Sequence, residues 1–225
     1  MRLNPLTWLV LALSTMAAVL LVDDPRFSTL VAALALTLAT AGTRSLTTLL
    51  GAFTLTVPTG LSMLLIHAPH GSAPLAGPVT GDGLSLAADL TLRFLALMST
   101  LLAAMALIRV PDLVKAVQAS PLGHRTAYIL GASIQLLPQG RAVVAAVRDA
   151  QRLRGRRIGA RVITRLAVPT ITQLLSTGTR RGLALETAGL DLPGRRTVLR
   201  PVPHTATDKV ITLLAPLTVA VIAWI

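Results

Sequence analysis

The chain is 225 residues long and 53% hydrophobic, with only 13% charged residues and a formal net charge of +12. Soluble domains carry about a quarter charged residues, so the composition excludes an ordinary water-soluble globule. Cysteine is absent, which removes disulfides, thiolate metal centres and cysteine nucleophiles.

In chain order, uncharged apolar runs occupy residues 6–22, 27–41 and 45–67. Residues 84–108 form a fourth run, interrupted only by Asp89 and Arg93, and 210–225 a fifth. Crossing about 30 Å of hydrocarbon takes about 20 helical residues. Helices satisfy their backbone within the segment, so such runs read as helices and not strands. The third and fourth runs reach the required length, and the others borrow flanking residues. The first, preceded by Arg2, imitates a signal peptide in outline, but with four more runs behind it the better reading is a span. The fold class expected is all-α, a polytopic membrane protein with about five transmembrane helices. A cytoplasmic region of one short helix and two long, crossing amphipathic helices completes it. Residues 1–110 hold four spans, 111–200 the cytoplasmic helices and 201–225 the last span.

Charge sets the orientation. Thirteen of the 21 basic residues lie between 141 and 200, all arginine, against three acids, Asp149, Glu186 and Asp191. Positive loops stay cytoplasmic. Counting spans back from this block puts the N-terminus and Arg44 inside. The Pro/Gly-rich loop 67–83, which has no Lys or Arg, and the C-terminus fall outside. Within the fourth span, Asp89 and Arg93 are one helical turn apart and are expected to pair with each other. His67 and His70, in HAPH, lack a third ligand, so no metal site is expected.

Pro111 opens the short helix and Pro121 the first long one. There, Val143, Ala146, Val147, Ala150 and Leu153 recur at three- and four-residue spacing, one helical stripe. Arg141, Arg148 and Arg152 fall opposite. Arg154 projects from near the apolar side at the tip, where Gly155 stops the helix. The second helix, residues 160–188, has the stripe Ile163, Ala167, Ile171, Leu174, Gly178, Gly182 and Leu185 and ends at Thr187-Ala188-Gly189. Small residues at Gly178 and Gly182 would let another helix come close, so the crossing is expected there. The arginines Arg148, Arg152, Arg156, Arg157 and Arg161 suit topology and anionic lipid.

Enzyme signatures are missing. Neither lysine, Lys115 or Lys209, follows glycine in a phosphate-binding loop, and HExxH and GxSxG are absent. The chain itself is therefore not expected to be an enzyme, and no cofactor is expected. The arginine block lacks the interleaved aromatics of single-strand binding, so no nucleic-acid partner is expected. A stand-alone secondary transporter would show matching broken-helix halves, and a lipid-headgroup enzyme would show clustered acids or histidines; neither pattern is visible.

Several segments together resemble the transmembrane T component of energy-coupling-factor transporters. They are NPLTWLVLAL, GDGLSLAADLTLRFLALMSTLLAAMALIRVPDLVKAV, AYILGASIQLLPQGRAVVAAVRDAQRLRG and RRGLALETAGLDLPGRRT. The resemblance implies a membrane subunit of the cell membrane with two cytoplasmic coupling helices. Each ends in an x-Arg-x triplet that docks on one of two cytoplasmic ATP-binding cassette ATPases. A membrane S component binds the vitamin or transition-metal ion taken up. Carried over, the first docking triplet is Leu153, Arg154, Gly155 and the second Thr187, Ala188, Gly189. The second lacks its arginine, with Arg195 and Arg196 nearby. Trp8 stands where the family usually has lysine, and Gln135 where it commonly has arginine.

Overall fold

A computed structural model describes residues 3–72, 74–76, 79–153, 155, 162–190, 192, 194 and 201–224. Its helices are α1 (Pro5–Leu21), α2 (Pro25–Thr43), α3 (Thr47–His67), α4 (Gly81–Leu107), α5 (Val110–Ala119), α6 (Gly123–Leu153), α7 (Val162–Thr187) and α8 (Ala206–Trp224). Among the described residues the fold is all-helical apart from a two-stranded antiparallel ribbon, β1 (Pro74–Ala76) and β2 (Val79–Thr80), inside the Pro/Gly-rich loop 67–83. The loop is tied down at its far end. Thr80 donates both its N–H and its hydroxyl to Ala68 O, at 2.8 and 2.9 Å, and the Ser72 hydroxyl donates to Asp82 Oδ2 at 2.6 Å.

Two compact units divide the chain: Met1–Ala116 with Val202–Ile225, and Val117–Pro201. The boundary lies six residues beyond the expected 110/111 division, within α5. In the first unit four helices, α2, α3, α4 and α8, are long and apolar enough to cross a membrane; α1, at 17 residues, is a shorter apolar helix.

The packing of this unit is inverted relative to a water-soluble protein. Ala18, Ala32, Ala39, Ala52, Ala87 and Ala96 are buried together with Ser28, Thr48 and Ser99, while Leu13, Leu34, Leu61, Leu65 and Leu213 face outward. In lipid no hydrophobic force drives leucines inward, so helices associate through small residues that let backbones approach. Gly60 illustrates the closeness: a Cβ there would come within 2.7 Å of Thr91 Cγ2 on α4.

Short polar ties fix the helix ends. Asn4 caps α1 by accepting the Leu6 N–H at 3.0 Å, and Asp24 caps α2 by accepting that of Arg26 at 2.8 Å. Asp208, fully buried in the first turn of α8, accepts the Thr205 N–H and the Asn4 N–H, each at 2.9 Å. The first turns of α1 and α8 thus meet at one carboxylate. The expected Asp89–Arg93 pair does not form. Arg93 reaches instead across to Asp23 at the α1–α2 corner, and Asp89 makes no ion pair with any described residue. A long guanidinium bridges to a neighbouring loop as readily as along its own helix. His70 closes the α3 terminus, its Nδ1 2.8 Å from Ile66 O.

Candidate coupling surface

The second unit is built on α6 and α7. Leu190, just past the end of α7, accepts a hydrogen bond from His124 Nε2 in the first turn of α6, at 3.1 Å. Since α7 begins shortly after α6 ends, this tie makes the two helices antiparallel. At 1.5 Å per residue the 31 residues of α6 make it about 45 Å long. Their two C-terminal tips therefore point to opposite ends of the pair.

Both tips end in the same way. Gly155 and Gly189 adopt left-handed φ values of 68° and 70°, a conformation in which a Cβ is costly. The Gly155 N–H donates to Arg152 O at 2.9 Å, and that of Gly189 to Glu186 O at 2.9 Å. At the α7 tip the Leu190 N–H also donates to Leu185 O at 2.9 Å, completing a Schellman cap that satisfies the last carbonyls. The triplets expected from sequence, Leu153-Arg154-Gly155 and Thr187-Ala188-Gly189, thus occupy the same register at their two helix ends. Leu153 is 89% exposed at its tip, and Thr187 and Ala188 are exposed at theirs. Arg154, Arg156, Arg157, Arg161, Arg195, Arg196 and Asp191 lie outside the described residues, as does the side chain of Ile163.

The seam between the helices differs from the expected stripes. On α6, Val143 and Val147 are half-buried as expected, but Ala146, Ala150 and Leu153 are exposed. On α7, Ala167, Leu174 and Leu185 are half-buried, with Thr170 and Thr177 in place of Ile171 and Gly178. Gly178 and Gly182, expected at a helix crossing, are exposed, and a Cβ on either would meet nothing within 4 Å. Periodicity locates a stripe only to within a residue, and hydroxyl-bearing side chains take the seam while larger apolar ones turn out. Ile129, Leu137, Val168, Ile171 and Leu175 are all exposed.

Along the outer side of α6, Leu136, Leu137, Val144 and Ala145 share a shallow groove with Arg141, Arg148 and Arg152. Among the described residues, only Arg152 has an acidic neighbour there, Asp149 at 3.8 Å. The surface is therefore apolar and cationic together, suited to a partner offering both hydrocarbon and carboxylate. No local pattern in the sequence announces the His124 tie, which brings the first turn of α6 to the α7 tip. Only the antiparallel pairing reveals it.

The chain matches no known family model and no curated protein sequence.

Proposed function

We propose that the protein is the transmembrane coupling component of an energy-coupling-factor importer, passing motion from two cytoplasmic ATPases to a membrane S component that carries a vitamin or transition-metal ion. The observation that carries this reading is the pair of glycine-ended helix tips at opposite ends of α6 and α7, about 45 Å apart. Two separated, rigidly terminated tips suit two separate motor subunits.

In this reading α1 joins α2, α3, α4 and α8 as a fifth span. The meeting of the first turns of α1 and α8 at Asp208 supports it, because helices that start together enter the bilayer from the same side. On this reading the arginine block keeps the coupling helices in the cytoplasm, four crossings before them leave the N-terminus on the same side, and the fifth carries the C-terminus outside. At the first tip Arg154 grips a carboxylate of one ATPase; a guanidinium is permanently charged and can bind in two places. At the second, Ala188 offers no charge, and the nearby Arg195 or Arg196 supplies the cation. The outward Ile129, Leu137, Ile171 and Leu175 meet the S component or lipid. The chain does not hydrolyse ATP; its partners do.

The test is purification of the tagged chain from native membranes, where two ATP-binding subunits and a small membrane protein should accompany it. Recovery of the intact chain alone, under conditions that preserve other membrane complexes, would overturn the reading.

A further inference from the structure

We propose that the first unit carries a binding site for one anionic phospholipid, with an acyl chain seated between α1, α2 and α4 and the headgroup held by Arg44 and Arg109. The proposal rests on the membrane-spanning character of this unit and holds whatever the coupling helices dock on.

A cavity of about 180 Å³ opens between these three helices, lined by Trp8, Leu11, Ala12 and Thr15 of α1, Leu34 and Leu38 of α2, and neighbouring residues of α2 and α4. Its only hydroxyls are spoken for. Thr15 donates to Leu11 O and Thr100 to Ala96 O, each at 2.8 Å. Apart from these hydroxyls and the Trp8 indole N–H the lining is hydrocarbon, so the cavity suits an apolar guest.

One end of the cavity is marked by Trp8, Leu38 and Leu107. Gly42 lies so close to Leu107 that a Cβ there would collide with it, which brings the ends of α2 and α4 together. Two residues beyond each partner stand Arg44 and Arg109, both exposed and without an ion pair to any described residue. Two arginines placed just past the Gly42–Leu107 contact, at that end of the slot, would complement a phosphodiester whose tail enters it. Arg44 gives a second indication. It holds a left-handed φ of 53°, alone among the described non-glycine residues. Glycine or asparagine would fit that cap without strain, so an arginine there runs against local backbone preference. Strain of that kind gathers where a side chain has work to do.

Trp8 makes the site observable. With Trp224→Phe, Trp8 is the sole indole, and the full-length chain is reconstituted into phosphatidylcholine vesicles. Phosphatidylglycerol or phosphatidylcholine, each brominated on its acyl chains, is then titrated in and Trp8 quenching followed. Each guanidinium near an anionic headgroup is expected to raise relative affinity roughly fivefold. With two guanidiniums, brominated phosphatidylglycerol should therefore half-quench Trp8 at a mole fraction lower by up to about twenty-five-fold than brominated phosphatidylcholine. Arg44→Gly with Arg109→Gln should abolish that preference without unfolding the chain, since both side chains are exposed and glycine suits position 44. Ala12→Leu, which fills the slot, should reduce quenching by both lipids. Equal quenching by the two lipids, preference surviving in the double variant, or full quenching in Ala12→Leu would each overturn the proposal.

Discussion

The backbone N–H of Asn4 donates to Asp208 Oδ1 at 2.9 Å, joining residues 204 positions apart at a fully buried carboxylate. The other oxygen closes the first turn of α8 by accepting both the N–H and the hydroxyl of Thr205, at 2.9 and 2.5 Å. No cation among the described residues pairs with it, so the ionised group is held by donors from two helix N-termini, where the backbone dipoles favour negative charge.

Asp208→Ala should therefore destabilise the first unit by about 3 kcal/mol, since hydrogen bonds to charged groups contribute ~1.5–3 kcal/mol each. Asp208→Asn, which keeps one acceptor, should cost less. Thermal unfolding in detergent would rank the two, and equal stability of both variants with the parent would show the carboxylate to be incidental.

On the proposed reading, Arg154→Glu should remove one ATPase from the purified complex, and adding Arg195→Glu and Arg196→Glu should remove both. Native mass spectrometry counts the subunits. Two ATPases retained in Arg154→Glu would overturn the docking role of the first tip.

Gly189→Ala should fray the α7 tip, because a Cβ at its φ of 70° is strained and would come within 2.8 Å of Leu192 Cδ1. The cost should be about 1–2 kcal/mol, read as faster hydrogen exchange at Leu190 than in the parent.

The glycines separate packing from partner contact. Gly60→Val should destabilise the α3–α4 pair by about 1–3 kcal/mol, the usual penalty for overpacking. Gly178→Ala and Gly182→Ala should leave the isolated chain unchanged or stabilise it by up to ~1 kcal/mol, as alanine favours helix. If either one lowers uptake while stability holds, that face of α7 touches another subunit.

Asp23→Asn should cost less than about 1 kcal/mol, because the Asp23 side chain is 90% exposed and surface pairs contribute little. A larger loss in thermal unfolding would mean that the Arg93 pair is shielded by lipid.

Much of the fold was legible because lipid imposes a single rule on a long apolar run. The helices at 25–43, 47–67, 81–107 and 206–224 follow the runs within a few residues, and Gly155 and Gly189 mark the helix ends as read. Contacts between elements were less legible. Asp89 and Arg93 share a helix face, but the geometry of the α1–α2 corner chose Asp23. Gly178 and Gly182 look like a crossing point in sequence, yet the seam runs through Thr170 and Thr177, because a stripe defines a direction and a neighbour decides which side of it is used. The His124–Leu190 tie joins residues 66 apart with no local pattern to announce it.

The bond between Asn4 and Asp208 also sets an order of events during biogenesis. Asn4 is synthesised roughly two hundred residues before its acceptor, so α1 stays unlatched while everything between the two residues is being made. Maturation of the bundle therefore waits on insertion of α8, and a nascent chain stalled before that point would present quality-control proteases with an unfastened first helix.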